Sequence, residues 1–142
     1  MTGRAGPQVA LADTNVFVAL LAGPSHALHE DALALFRRVA EGTLILDVTP
    51  IVVAELVYAF RAIPGWDRAA VAAQLSNMLR ADGLRVREGD VIDRALELFG
   101  TRPGPDFPDA YLAAIAVSHG PPAIASFDRD YDVIEGLQRV TG

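Results

Sequence analysis

The chain has 142 residues, of which 51% are hydrophobic, and it carries a formal net charge of −6 with a sequence pI of about 4.9. This length predicts a single domain over residues 1–142 with a core of its own, and the hydrophobic content argues against disorder. Cysteine is absent, which excludes disulfides, thiolate zinc sites and cysteine nucleophiles. Lysine is absent too, which excludes a Walker-type phosphate loop and disfavours a response-regulator receiver.

Location and partners follow from the distribution of apolar and charged residues. The longest uncharged run, Ala110–Phe127, contains Gly120 and two prolines and does not form a membrane helix, and the N-terminal apolar stretch, broken by Asp13, is a poor signal peptide. We therefore expect a cytoplasmic protein without membrane contact. Nucleic-acid binders are usually basic, so the negative charge counts modestly against RNA binding, although arginines and bound cations offset it locally.

The stretch Val9–Phe17 places Asp, Thr and Asn directly after a short run of small apolar residues. Such a run is typical of a parallel strand that helices cover on both faces. Open α/β sheets bind their ligands at the carboxyl ends of their strands, so Asp13, at the end of this strand, is a candidate for chemistry. A turn-forming role is its simplest alternative.

Helices and strands alternate along the rest of the chain. Apolar spacing, caps and breakers predict helices over residues 15–21, 26–40, 50–61, 67–79, 89–99 and 108–118, with Ser25 and Thr49 as N-caps. Further strands are predicted over residues 43–47, 84–87, 123–126 and 138–140, with 84–87 near a sheet edge. This order predicts a three-layer α/β/α sandwich around a mostly parallel central sheet.

Glu55 is the only charged residue between Thr49 and Phe60, and its helical neighbours one turn away, such as Ile51 and Tyr58, are apolar. Burying a carboxylate without a partner is costly, so the sequence predicts a partner, a cavity or a metal ion for Glu55. An ion pair with an arginine is the structural alternative.

Two acids, Asp106 and Asp109, lie at the start of the helix over residues 108–118. Helix dipoles commonly stabilise acids there. The helix that Asp109 opens is, however, apolar on all sides and therefore predicted to be buried, which brings its first turn near the end of the sheet.

Asp128 follows its strand as Asp13 follows the first one, with Asp130 as a competitor for the same role. Turn formation is again the alternative. Asp47 also ends a strand, but it ranks below the other acids because the Thr49-Pro50 cap beside it explains it locally.

The predicted fold directs four acids, Asp13, Glu55, Asp109 and Asp128, towards one edge of one sheet. Two like charges 4 Å apart repel by about 4 kcal/mol at an effective dielectric near 20, so such a cluster requires protonation or a cation. Oxygen ligands without cysteine favour Mg²⁺ or Mn²⁺. These acids are thus predicted to be both metal ligands and catalytic groups, in a site suited to phosphodiester hydrolysis.

The ordered motifs resemble those of PIN-domain ribonucleases, and among these the chain is most similar to the VapC toxins of bacterial toxin–antitoxin pairs. The motifs are Asp13-Thr14-Asn15, Glu55 in an apolar helix, the run Asp109–Ala114, and the run Ser126–Asp130. Their order and spacing match over essentially the whole chain. The first and third motifs are fairly specific in combination, whereas the second and fourth are loose.

The resemblance implies an endoribonuclease that depends on Mg²⁺ or Mn²⁺. Asp13, Glu55 and Asp109 would be its principal acids, and Asp128 a fourth, more variable one. The resemblance also implies a homodimer, and inhibition by a cognate antitoxin that packs along the toxin and blocks the acidic pocket.

Further polar residues have supporting roles in this interpretation. The resemblance implies that Asn15 and Ser126 hydrogen-bond within the site and orient carboxylates or water. Asp106 is an extra acid beside the third motif, and it would support the metal ligands without binding the metal itself. The arginines nearest to the motifs, and the candidates for phosphate contacts, are Arg61, Arg102 and Arg129.

Other functions are weighed against the nuclease. A PIN-like scaffold that binds RNA or protein without turnover is the main alternative. A phosphatase of the haloacid dehalogenase type needs a second Asp where this chain has Asn15. His26 and His29 lack a third zinc ligand. Ser118 and His119 are adjacent and do not face each other, and no nucleophile elbow is present.

Overall fold

The computed structural model of the chain describes residues 6–101 and 104–142. Its helices are α1 (Thr14–Leu21), α2 (His29–Ala40), α3 (Pro50–Arg61), α4 (Arg68–Leu79), α5 (Gly89–Gly100) and α6 (Phe107–His119). Its strands are β1 (Gln8–Leu11), β2 (Leu44–Val48), β3 (Leu84–Val86), β4 (Ala123–Ala125) and β5 (Gln138–Val140). A short 3₁₀ helix, Arg129–Val133, lies between β4 and β5.

The boundaries of these elements agree with the predicted ones to within a few residues. Thr49 caps α3 as predicted, because its hydroxyl accepts a hydrogen bond from the Val52 N–H at 3.4 Å. The prediction of Ser25 as the N-cap of α2 is wrong, since α2 begins three residues later than expected. The His26 imidazole accepts a hydrogen bond from the Leu28 N–H at 3.1 Å, which holds the chain in a turn before α2.

All strand pairs among the described residues are parallel, as the alternation of helices and strands predicts. Strands β1, β2 and β3 form a large sheet in that order, so β3 is an edge strand, as expected. With its helices, this mostly parallel arrangement is consistent with a three-layer α/β/α fold. The expectation of one continuous sheet is corrected, because β4 and β5 pair with each other in a separate small sheet.

Strand β1 is not the buried strand that its apolar run predicts. Val9 is 48% exposed and Leu11 is 65% exposed. One edge of β1 pairs with β2 and no described strand pairs with its other edge, and the packed helices leave the side chains of Val9 and Leu11 uncovered. Strand β2 lies between β1 and β3 and is largely buried, so the same kind of run predicts burial correctly there.

Two apolar cores hold these elements together. The larger core joins the large sheet to helices α1 to α6 and includes Phe17, Leu46, Leu75 and Leu96. The smaller core contains Ala113 of α6 with Tyr131 and Ile134. Helix α6 therefore belongs to both cores. No helix in the described part of the chain is long and apolar enough to cross a membrane.

Candidate active site

Asp109 occupies the third position of α6, where its side chain is half-buried. Its Oδ1 accepts a hydrogen bond from the hydroxyl of Tyr131 at 3.0 Å. Tyr131 lies in the 3₁₀ helix and is only 4% exposed. Burial, together with the bond to Asp109, raises the pKa of Tyr131 to about 12, so the hydroxyl stays protonated and donates at neutral pH.

Asp128 lies near the same tyrosine. Its Oδ1 caps the 3₁₀ helix by accepting a hydrogen bond from the Asp130 N–H at 2.9 Å, and its own N–H donates to Ser126 Oγ at 3.0 Å. The charge of Asp128 contributes to the raised pKa of Tyr131. Tyr131 therefore has one predicted acid, Asp109, as a hydrogen-bond partner, and it belongs to the 3₁₀ helix that a second one, Asp128, caps.

Asp13 follows β1 after one intervening residue, Ala12, at the carboxyl end of the large sheet, as predicted. It caps α1, and its Oδ1 accepts a hydrogen bond from the Asn15 N–H at 3.5 Å. Asn15 also lines a cavity of about 340 Å³ between α1 and α2. Between these residues, the buried Thr14 hydroxyl has no hydrogen-bond partner among the described residues.

Glu55 is exposed to solvent, and within the described ranges it forms neither a hydrogen bond nor an ion pair. Of the expected partner, cavity or metal ion, the described residues provide no protein partner, and the reason is that Glu55 is not buried. Its neighbours one turn away, Ile51 and Tyr58, are themselves 73% and 61% exposed, so this apolar face of α3 is not a core face. The core face of α3 is formed by Val53 and Leu56 instead.

The four predicted acids do not form one cluster in the structure. Among residues 6–101 and 104–142, no group of three or more aspartate, glutamate or histidine side chains can hold a metal ion. Carboxylate oxygens suit Mg²⁺ or Mn²⁺, so the donor chemistry fits, but the geometry provides only the part of such a site around Asp109 and Asp128. Asp13 follows β1 of the large sheet, whereas Asp128 follows β4 of the small one.

A cavity of about 610 Å³ lies between α3 and α6, beside the residues that follow β2 and β3. Ile51 of α3 and Pro108 and Leu112 of α6 line it. We call it the α3–α6 groove. Glu55 lies one turn after Ile51 on α3, and Asp109 directly follows Pro108, so both helices of the groove carry a predicted acid. Ligands of open α/β sheets bind at this carboxyl edge.

Asp47, which ranked below the other acids, has a partner that sequence reasoning missed. Its buried carboxylate accepts two hydrogen bonds of 3.0 Å from Arg87, which follows the neighbouring strand β3. These hydrogen bonds lower the pKa of Asp47 below its ordinary value of 3.8. The pair is a structural link between β2 and the end of β3.

Arg68, at the start of α4, is another residue that sequence reasoning missed. Its Nε donates to the Phe99 carbonyl at 2.8 Å, and its guanidinium lies 4.2 Å from the centre of the Phe99 ring. The same guanidinium donates to the Pro105 carbonyl and lies 3.4 Å from Asp106. Arg68 therefore ties α4 and α5 to the segment before α6, and Asp106 is its exposed ion-pair partner.

Three arginines and one histidine were also candidates for phosphate or metal contacts. Arg61 donates to the Trp66 carbonyl at 3.3 Å, and Arg129 is exposed at the start of the 3₁₀ helix. Arg102 lies outside the described residues. His29 Nδ1 is 2.9 Å from the Ala19 carbonyl, so this buried imidazole links α1 to α2.

Comparison with protein families identifies the class of the chain. The PIN domain model matches residues 10–137. The chain therefore belongs to the PIN domain family, whose members are generally nucleases and usually use divalent metal ions. No curated protein and no solved structure matches it.

Replacing Arg87 tests the link to Asp47. Because the pKa of Asp47 is lower in the folded chain than in the unfolded chain, the pair stabilises the fold above about pH 4 and loses this effect as the pH falls through the folded pKa. We expect Arg87→Gln to lower the free energy of unfolding at pH 7 and the deficit to shrink below pH 4. Urea unfolding at a series of pH values measures this.

Arg85→Gln is the matched control, since Arg85 acts on Asp47 only through its charge and makes no hydrogen bond to it. Its effect at pH 7 is expected to be smaller. A deficit in Arg87→Gln that stays constant from pH 7 to pH 3 would contradict the assignment.

Proposed function

We propose that the protein is a metal-dependent endoribonuclease that hydrolyses RNA phosphodiester bonds. Membership of the PIN family supports a nuclease that acts on RNA. The structural observation that supports it most is the buried Tyr131, which hydrogen-bonds Asp109 of α6 and belongs to the 3₁₀ helix that Asp128 caps. Carboxylate oxygens are the ligands that Mg²⁺ and Mn²⁺ prefer in proteins.

The proposed site contains four acids: Asp13, Glu55, Asp109 and Asp128. Bound Mg²⁺ or Mn²⁺ would activate a water molecule and neutralise charge on the phosphate. Ser126 Oγ supports Asp128 by accepting a hydrogen bond from its backbone N–H, and the backbone N–H of Asn15 donates to the carboxylate of Asp13. The proposal requires Asp13 and Glu55 to approach the other two acids when cation and RNA bind.

A scaffold that binds RNA or protein without cleaving it is the second candidate. It is favoured by one observation, the exposure of Glu55 and its lack of any partner among the described residues. Both functions predict RNA binding, so only a measurement of turnover separates them.

We further propose that the protein acts in the cytoplasm as the toxin of a toxin–antitoxin pair, as a homodimer that a cognate antitoxin inhibits. The resemblance to VapC toxins supports these partners. Ile51 and Leu112, which line the α3–α6 groove, are exposed apolar residues of the kind that protein partners cover. A mass of about 30 kDa in sedimentation, twice the 15.1 kDa of one chain, is expected, and a mass of one chain would contradict the dimer.

The nuclease is tested by incubating the purified chain with structured RNA, with and without Mn²⁺. We expect cleavage with Mn²⁺ and none with EDTA. Asp13→Asn, Glu55→Gln and Asp109→Asn are each expected to lower the rate by about 100-fold or more, because each removes a carboxylate that the cation needs.

Asp82→Asn is the control for these substitutions, because Asp82 is exposed and lies outside the proposed site. It should cleave like the unchanged chain. Cleavage that survives EDTA, or that survives both Asp13→Asn and Asp109→Asn, would contradict the proposed site. RNA that is bound but not cleaved under any of these conditions would support the scaffold.

A further inference from the structure

We propose that Tyr131 is a positioning residue of the ribonuclease site, and this inference rests on the function proposed above. Its hydroxyl fixes the carboxylate of Asp109, and its ring anchors the loop that carries Asp128. Tyr131 thereby holds two acids from separate parts of the chain in one arrangement.

The packing of the tyrosine explains why its hydroxyl reaches Asp109. Tyr131 is 4% exposed and packs in the smaller core with Ala113 and Ile134. Ala113 lies four residues after Asp109 on α6, so both residues lie on the same face of that helix. A ring that packs on Ala113 therefore directs its hydroxyl along this face to the first turn, where Asp109 Oδ1 lies 3.0 Å away.

This hydrogen bond restricts the orientation of the carboxylate. It is the one hydrogen bond that the Asp109 side chain receives from the described residues. With Oδ1 held by the hydroxyl, the rotation of the carboxylate is limited and Oδ2 remains free for another partner. Mutation of a residue that hydrogen-bonds to a metal ligand without binding the metal typically lowers metal affinity or activity by 10- to 100-fold.

The same residue fixes the loop that carries Asp128. Asp128 is the N-cap of the 3₁₀ helix to which Tyr131 belongs, so the position of the helix sets the position of the acid. Arg139 braces this loop from its other side, by donating to Asp132 at 2.9 Å and to the Ser126 carbonyl at 3.3 Å. Of these contacts, only the one made by Tyr131 reaches Asp109.

The experiment compares three variants with the unchanged chain. Tyr131→Phe removes the hydroxyl and keeps the ring in the core. Ile134→Val is the matched control, because it loosens the same core and removes no hydrogen bond to an acid. Asp109→Asn tests the proposed function itself. For each we measure the Kd for Mn²⁺ by calorimetry, kcat and KM on a structured RNA, and Tm.

We expect Tyr131→Phe to weaken Mn²⁺ binding by about 10-fold or more and to lower kcat by a similar factor, with KM unchanged and Tm lowered by no more than about 4 °C. Ile134→Val should lower Tm by at least as much and leave Mn²⁺ affinity and kcat unchanged. Asp109→Asn should lose both Mn²⁺ binding and RNA cleavage. This pattern separates positioning from a contribution to stability alone.

Each other outcome overturns the inference in a distinct way. If Tyr131→Phe binds Mn²⁺ and cleaves like the unchanged chain while Asp109→Asn does neither, the inference is wrong and the proposed function stands. If Ile134→Val lowers Mn²⁺ affinity and kcat as much as Tyr131→Phe does, the effect comes from general loosening of the core and the inference is wrong. If Asp109→Asn keeps both properties, or the unchanged chain has neither, the proposed function fails and the inference falls with it.

Discussion

The structure depends above all on the packing of helix α6, whose alanines let it lie against two cores at once. Ala110 and Ala114 are fully buried in the larger core, and Ala113 is fully buried in the smaller one. Small side chains allow neighbouring elements to approach the helix closely on several sides. Because both cores hold α6, its first turn, with Asp109, has a defined position relative to each.

Two side chains from outside α6 fix that first turn further. Arg68 binds the carbonyl groups of Phe99 and Pro105, on either side of the loop before the helix. Tyr131 binds the carboxylate of Asp109 itself. Among the described residues no side chain from another element binds Glu55, which is exposed, and the Asp13 side chain receives its one hydrogen bond from the nearby Asn15 N–H. The described structure therefore fixes Asp109 and the loop that carries Asp128, and it does not gather all four acids into one metal site.

Local patterns in the sequence were sufficient to predict the helices and strands and much of the sheet topology. The cap at Thr49 and the buried strand β2 follow from neighbours in sequence, and the structure confirms them. Helix α6 was predicted to be buried on all sides, but it is buried only in part, since Leu112 is 48% exposed. The burial of β1 and the environment of Glu55 were predicted wrongly, because both depend on which distant elements cover them. The bonds of Arg87 to Asp47 and of Tyr131 to Asp109 join residues 40 and 22 positions apart, and no local pattern reports them.

The central claim is that acids from remote parts of the chain gather around one divalent cation. Crystals grown or soaked with Mn²⁺ test it most directly, because anomalous scattering locates the ion independently of the protein atoms. The account predicts one peak about 2.1 Å from carboxylate oxygens of both Asp109 and Asp128, with Asp13 or Glu55 as a further ligand. A peak elsewhere, or no peak at Mn²⁺ concentrations that support cleavage, would contradict it.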